Sequence, residues 1–383
     1  MKIERFQMER MQSLYENEVK FNLSESGVWP LSLGELVQEG PAREALNGLR
    51  LGYPHAAGCE SLRRNIARFY GDDDDPDRVT VTNGGSEANY MALWGLVGAS
   101  DRVAFMMPNY LQGWGISRAY GGQADAYKLR MKRSRNGGWH WQLDVDSLRN
   151  AVRKNTRIIV VTNPNNPTGH VLSEEEMQAI IDEARRVGAW ILSDEIYRGA
   201  EVSGPLTPTF YGRYDKVIVT SGLSKAFGLP GLRIGWIVST PKMVSHLAQY
   251  HDYLTLTPNV LSDRLADIVM RPARRDEILK RSRDIIAGNL PLLEKWIARY
   301  DDVFDYARPM AGAIATLRYR LPIGSVALFN RLLEEQSVLI TPGGHMGLGR
   351  YLRIGYGYDA GKLRQGLRRI GRVLDELRDQ QAA

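Results

Sequence analysis

Val217-Ile218-Val219-Thr220-Ser221-Gly222-Leu223-Ser224-Lys225-Ala226-Phe227-Gly228-Leu229-Pro230-Gly231-Leu232-Arg233-Ile234-Gly235 sets a lysine in a glycine-rich loop. Apolar, β-branched runs at 217–220 and 234–238 flank the loop and read as strands. Glycine imposes no Cβ, so backbone in such a loop can come close to a ligand. Among apolar neighbours Lys225 is expected to have a lowered pKa, the state that a Schiff-base lysine needs. A Ser-Lys pair in a loop is also an ordinary surface feature, so the rest of the chain has to decide.

Outward from that loop the chain alternates short apolar runs with helical patterns. Strands are expected at 79–82, 102–106, 157–162 and 190–193, besides the two that flank Lys225. Helices are expected at 62–69, 87–97, 111–120 and 173–187. This alternation predicts an α/β fold with a mainly parallel sheet covered on both faces. In such sheets ligands bind beyond the carboxyl ends of the strands. After Asp263 long charged helices run to about Arg299, and a smaller α+β segment ends in a helix over 360–377. Residues 1 to about 20 read as a charged helical arm lying over a neighbouring surface. The acidic turn from Asp72 to Asp75 reads as a solvated loop, with no metal assigned.

Composition narrows the class. With 43% apolar and 25% charged residues among 383, the chain is an ordinary globular protein able to bury a large core. One cysteine, Cys59, excludes an intrachain disulfide framework and reads as a small packed residue. The formal charge of +6 is small, and no dense Lys/Arg block with interleaved aromatics argues for nucleic acid. Met1-Lys2-Ile3-Glu4-Arg5 does not read as a secretory signal. No apolar run approaches the roughly 18 residues that a membrane span needs. The expectation is a cytoplasmic protein with neither nucleic acid nor membrane as partner.

The strand ends carry the chemistry. Asn83-Gly84-Gly85-Ser86 precedes a helix, where free amides and the positive dipole end suit a phosphate. Asn163-Pro164-Asn165-Asn166-Pro167-Thr168-Gly169 is stiffened by two prolines and presents Asn166 at a fixed point. Asp194, in Asp194-Glu195-Ile196-Tyr197, puts a carboxylate at a strand end. Pro108-Asn109-Tyr110 brings an aromatic face to the same region. Arg353 lies inside an apolar strand, Tyr351-Leu352-Arg353-Ile354-Gly355, and wants a bidentate anionic partner.

In order and spacing these segments resemble the class I/II aminotransferases, of the pyridoxal 5'-phosphate (PLP) fold-type-I group, from about Phe21 to Leu377. The most specific matches are N-P-x-N-P-T-G at 163–169, D-E-x-Y at 194–197, and Ser224-Lys225 with Arg233 beyond. The resemblance implies a large domain (45–275) with a mainly parallel seven-stranded sheet. It also implies a smaller α+β domain (276–383), joined by an N-terminal arm and segment (1–44). Lys225 would carry PLP covalently and act in catalysis together with Asp194 and Tyr197. Asp194 would pair with the pyridine nitrogen, Asn166 and Tyr197 would donate to the phenolate oxygen, and Tyr110 would stack on the ring. Gly85, Ser86, Ser224 and Arg233 would hold the phosphate, and Arg353 the substrate carboxylate, with Asn166, Ser26 and Gly27 beside the substrate. Tyr53 would reach the partner subunit's site in a homodimer. The implied activity is amino transfer from an amino acid to a 2-oxo acid. The same framework also serves lyases that eliminate a β- or γ-substituent, cyclases of the capreomycidine-synthase type, and arginine oxidases.

Three departures stand out. Gly222 replaces the first serine of the family's S-x-S-K, and Ser221 is a candidate to compensate. Tyr253, with His251 and Asp252 beside it, stands where one dicarboxylate-specific branch has an arginine, which argues against aspartate or glutamate as donor. Leu23-Ser24-Glu25-Ser26-Gly27-Val28-Trp29 departs from the usual L-x-x-G-E-P-D. Glu25 there reads as solvent-facing, with a cationic side chain as the alternative partner.

Overall fold

The computed structural model describes every residue except Met1, Gln38, Asp72, Asp73 and Ala383. The first half of the Asp72–Asp75 turn therefore lies outside the described residues, while Asp74 pairs with Arg68 at 2.7 Å.

An eight-stranded sheet organises the chain. Numbering all strands along the sequence, β1 is Phe21–Asn22, β2 Val79–Thr82, β3 Arg102–Met107, β4 Gln123–Arg133 and β5 Trp139–Leu143. β6 is Thr156–Thr162, β7 Trp190–Asp194, β8 Val217–Gly222 and β9 Gly235–Val238. The large sheet has the order β2-β9-β8-β7-β6-β3-β4-β5. Strands β8, β7, β6, β3 and β4 are mutually parallel, whereas β9 and β5 run the other way. The expected strands are present to within two residues at each end. Sequence reading missed the β4–β5 hairpin, whose antiparallel β5 adds an eighth strand at the edge.

Strands β6 and β8 are buried at nearly every position because helices cover both faces of the sheet there. Along β6, Ile158 and Val160 pack with Met91 and Leu93 of the helix Gly85–Leu96. Ile159 and Val161 face the opposite way, toward Met177, Ile180 and Ala184 of the helix Glu174–Val187. Each such side chain contributes about 1.5–3 kcal/mol on burial. The helix Glu174–Val187 starts in a Ser173/Glu176 capping box and stops at Gly188, whose φ is +71°.

The remaining strands form two small sheets. β10 (Phe304–Tyr306), β11 (Ile314–Tyr319), β13 (Thr341–Pro342) and β14 (Tyr351–Gly355) make an antiparallel sheet in the order β10-β11-β14-β13. β12 (Val338–Leu339) pairs in parallel with β1, so residues 21–22 are tied to the C-terminal third. The N-terminal helix spans Gln7–Tyr15, shorter than expected, and the last helix runs over Ala360–Ala382. Among the described residues no helix is long and apolar enough to cross a membrane.

Candidate active site

The carboxyl ends of β3, β6, β7 and β8 open onto a cavity of about 280 Å³, lined among others by Ser86, Tyr110, Asn166, Asp194, Lys225 and Arg353. The sequence places these groups in six separate segments, and the fold brings them together.

One end of the cavity is built for an anion. The helix Gly85–Leu96 starts there, so Gly85 and Ser86 present first-turn amides and the positive end of the helix dipole. Arg233 adopts a left-handed φ of +49°, which turns its guanidinium back to donate to Ser224 Oγ and Pro230 O, both at 3.2 Å. The guanidinium passes so close to Gly84 that a Cβ there would lie 2.3 Å from Arg233 Nη2. A phosphate group fits this combination of arginine, hydroxyls and helix terminus.

Gly222 is required rather than merely tolerated. A Cβ on it would lie 2.6 Å from the Ile234 carbonyl oxygen and 3.0 Å from Gly235 Cα. Ser221 does not compensate for the absent serine, because its Oγ donates to the Glu195 carbonyl at 3.1 Å inside the sheet. Gly222→Ser is therefore expected to lower the unfolding free energy by about 1–3 kcal/mol through overpacking, read from urea unfolding midpoints. If the serine variant were as stable as the parent and held PLP more tightly, the steric account would fail.

Asp194 ends β7 beneath the cavity. Its Oδ2 accepts from Asn89 Nδ2 at 2.9 Å and its Oδ1 from the Ile196 amide at 3.1 Å. Asn89 is held in turn by Thr220 Oγ1 at 2.6 Å. Burial outweighs these two donors and raises the Asp194 pKa, so the site favours a cationic partner for it. Sequence reading missed Asn89. Its signal was position, four residues after Gly85 and hence on the same helix face. The adjacent Glu195 points away from the cavity, accepting from Ser193, Thr209 and the Phe210 amide, and burial raises its pKa to about 7.

Arg353 and Asn166 meet across the cavity. Arg353 is 1% exposed and donates through Nη1 to Asn166 Oδ1 at 2.9 Å and through Nη2 to Thr341 Oγ1 at 3.0 Å and the Ser24 carbonyl. Among the described residues its buried Nε has no partner, which leaves a donor for an anionic ligand. The 163–169 loop is locked to the loop before Tyr110: Asn165 Nδ2 donates to the Pro108 carbonyl at 3.2 Å, and Thr162 Oγ1 to Asn109 Oδ1 at 2.9 Å. Tyr197 donates to Ser26 Oγ at 2.9 Å, and burial raises its pKa against the charges of Lys225 and Arg353.

Two expectations about Lys225 and Glu25 are corrected. Glu25 does not face solvent: its Oε1 accepts from Lys225 Nζ at 2.7 Å. Burial pushes the Lys225 amine down, but the Glu25 charge, Tyr197 and the hydrogen bond prevail, so its pKa is raised rather than lowered. On the other side the Lys225 charge outweighs burial, and with the Ser26 and Gly27 amides it holds Glu25 at about 2.

The N-terminal arm closes one side of the site. Its helix lies over the cavity of its own chain, where Met8, Glu9 and Gln12 form part of the lining. Gln12 Nε2 donates to Ser24 Oγ at 3.2 Å, and Phe6 packs edge-on against Tyr110 at 4.9 Å between ring centres. Burial first, then Glu9, raises the Tyr110 pKa well above its ordinary value. Gly27 does not line the cavity but donates its amide to Glu25 Oε1 at 3.1 Å. Tyr53 stands outside the cavity, 84% exposed. His251 is buried at 3.5 Å from Glu87, behind the helix terminus rather than beside a substrate, and Tyr253 is 80% exposed.

Comparison with known proteins agrees with this geometry. The family described as "Aminotransferase class I and II" matches residues 20–370. Capreomycidine synthase from Streptomyces vinaceus is 30% identical over 361 residues, covering 93% of this chain and 90% of that protein. A PLP-dependent aminotransferase from Streptococcus suis superposes with a TM-score of 0.90 at 30% identity, over 98% of this chain and 99% of that one. A PLP-dependent cyclase, OrfR, superposes with a TM-score of 0.87 at 27% identity, over 98% of each chain.

Proposed function

Because the chain belongs to the class I and II aminotransferase family, we propose that it transfers the amino group of an amino acid to a 2-oxo acid, with PLP held on Lys225. The observation that carries this reading is one cavity that gathers Lys225, Asp194, Asn166, Tyr197 and Arg353 beside an anion-binding helix terminus. When bound, PLP supplies the electron sink that makes breaking the substrate Cα–H bond feasible.

This chain's residues divide the remaining work. Gly85, Ser86, Ser224 and Arg233 would hold the phosphate, and Tyr110 would lie against the ring. Asp194, kept in place by Asn89, would supply the negative charge for the pyridine nitrogen. Asn166 would donate to the phenolate oxygen, and Tyr197 would do so once its hydroxyl proton turns from Ser26 Oγ. Arg353, through its free Nε, grips the substrate carboxylate and fixes the Cα–H bond relative to Lys225. Ser26, bonded to Tyr197, forms the wall beside the substrate, and Gly27 supports it from behind through its amide bond to Glu25. Lys225, once free as the amine, takes the Cα proton and delivers it onward.

The active unit in this reading is a homodimer in which Tyr53 reaches the partner's phosphate site. The exposure of Leu51 and Tyr53, at 79% and 84%, supports it. The division into 1–44, 45–275 and 276–383 belongs to the same reading. It is supported by the separate small sheets and the β1–β12 pairing, and one continuous helix, Pro272–Ile297, crosses its second boundary. A cytoplasmic location is supported by the free, buried Cys59. With Tyr253 in place of a basic residue, aspartate and glutamate are not the preferred donors.

The second reading diverts the same proton abstraction to elimination, cyclisation or oxidation. It is favoured by the Glu25 carboxylate on Lys225 and by likeness to proteins named as a synthase and a cyclase. An amino-acid panel incubated with a 2-oxo acid separates the two. Transfer gives the donor's oxo acid and the aminated acceptor one for one, whereas ammonia or peroxide in their place selects the second reading.

A further inference from the structure

Lys225 and Glu25 lie 200 residues apart in sequence, yet their side chains meet at 2.7 Å. The same Glu25 oxygen also accepts the amides of Ser26 at 2.9 Å and Gly27 at 3.1 Å. Three donors on one oxygen define where the carboxylate sits. The strip that carries it is pinned as well. Leu23 N donates to Leu339 O, Gly355 N to Leu23 O and Trp29 N to Gly357 O, each at 2.8 Å. Any side chain at Gly355 would collide with the Glu25 carbonyl oxygen, so the strip is seated directly on β14, the strand that carries Arg353.

The other titratable and charged groups that act on Lys225 or share its cavity are Tyr197, Arg353, Tyr358, Glu9, Tyr110, Asp194 and Arg233, with Glu16 further out. Tyr197 is engaged with Ser26, and Arg353 with Asn166, Thr341 and Ser24. Among the described residues Glu25 alone gives Lys225 a side-chain hydrogen bond.

We propose that Glu25 is the proton-holding partner of Lys225. It stabilises the ammonium that forms when Lys225 takes the substrate's Cα proton, and so sets how readily that proton leaves again. The inference rests on the reading of Lys225 as the catalytic base. In the step itself the Nζ lone pair takes the proton, the C–H electron pair stays with the substrate, and the new N–H donates to Glu25 Oε1. Nothing is oxidised or reduced. An ammonium held by a carboxylate is a weaker acid, so return of its proton to carbon slows, and outcomes that do not need that return gain share.

The test is the pKa of Lys225 in the full-length protein stripped of cofactor, measured by competitive acetic-anhydride labelling across pH and peptide mass spectrometry. Glu25→Gln keeps the shape and the acceptor for Ser26 and Gly27 but loses the charge. Its labelling midpoint for Lys225 is expected to fall by about one pH unit or more, while Glu25→Asp retains most of the parent value. PLP capture near neutral pH should be about tenfold faster in Glu25→Gln, because the neutral amine is the capturing form. Coincident midpoints for parent and Glu25→Gln would overturn the proposal. A shifted midpoint in a parent protein that captures no PLP would support the pairing and overturn the cofactor reading instead.

Discussion

Lys225→Ala is expected to abolish covalent capture of PLP, seen as loss of the visible absorbance that the parent acquires on mixing with the cofactor. Turnover should fall by roughly 10³-fold or more, since both the attachment point and the general base are removed. The environment makes substitution by another group difficult. The other cationic side chains lining the cavity are Arg233 and Arg353, which stay protonated and are already bonded, Arg233 to Ser224 and Pro230 and Arg353 to Asn166 and Thr341. Small alkylamines added to the variant should restore part of the turnover, because the alanine leaves room where Nζ stood. A variant that still captured PLP and turned over at the parent rate would show that Lys225 is not the attachment point.

The same substitution has a signature in stability against pH. In the parent, Glu25 has its folded pKa depressed from 4.5 to about 2, and the charge of Lys225 is the largest cause. A carboxylate with a depressed folded pKa contributes stability above its unfolded pKa, and that contribution is lost as pH falls through the folded value. Without Lys225 the contribution is absent and burial pushes Glu25 the other way. The stability gap between parent and Lys225→Ala should thus close as pH drops toward about 2, where Glu25 loses its charge, and close again as pH rises past the ordinary lysine value of 10.5, where Lys225 loses its own.

How much of this was legible in the sequence follows from where the determining contacts lie. The central strands could be read because each carries a short β-branched run, 158–161 in β6 and 217–220 in β8, of the kind that a doubly covered sheet requires. The β4–β5 hairpin carries a different signal, the alternation of Tyr127, Leu129 and Met131 with Lys128, Arg130 and Lys132, which marks a half-covered strand rather than a continuous apolar run. The loops at strand ends were legible because their glycines, prolines and polar side chains have local meaning. Glu25 and the N-terminal helix were not. The value of Glu25 depends on Lys225, 200 residues away, and a charged helix carries no mark of which surface it covers. The available signal was negative: the 23–29 strip failed to match its family's pattern at the place where the chain turned out to be unusual.

Asp194→Asn is the substitution expected to cost most after Lys225→Ala. Asparagine keeps the shape, and Asn89 can turn its amide over, accepting from the new amide and donating to Thr220 Oγ1 in place of the present 2.9 Å and 2.6 Å bonds. Folding of the cofactor-free protein should therefore not suffer. Burial raises the Asp194 pKa, so ionising it at neutral pH weakens the fold, a penalty that vanishes as pH falls below the unfolded value near 3.8. Removing the charge removes that penalty, and the variant without PLP should be at least as stable as the parent near pH 7. Catalysis should respond in the opposite sense. The carboxylate is the group that would keep the pyridine nitrogen protonated, and loss of one such preorganised charge is worth about 10²–10³ in kcat. KM should change little, because Arg353 and Asn166 still meet the substrate carboxylate. PLP should also raise the unfolding temperature by less than it does in the parent, as its affinity for the folded state drops. Parent-like kcat together with parent-like stabilisation by PLP would mean that Asp194 faces something other than the cofactor ring.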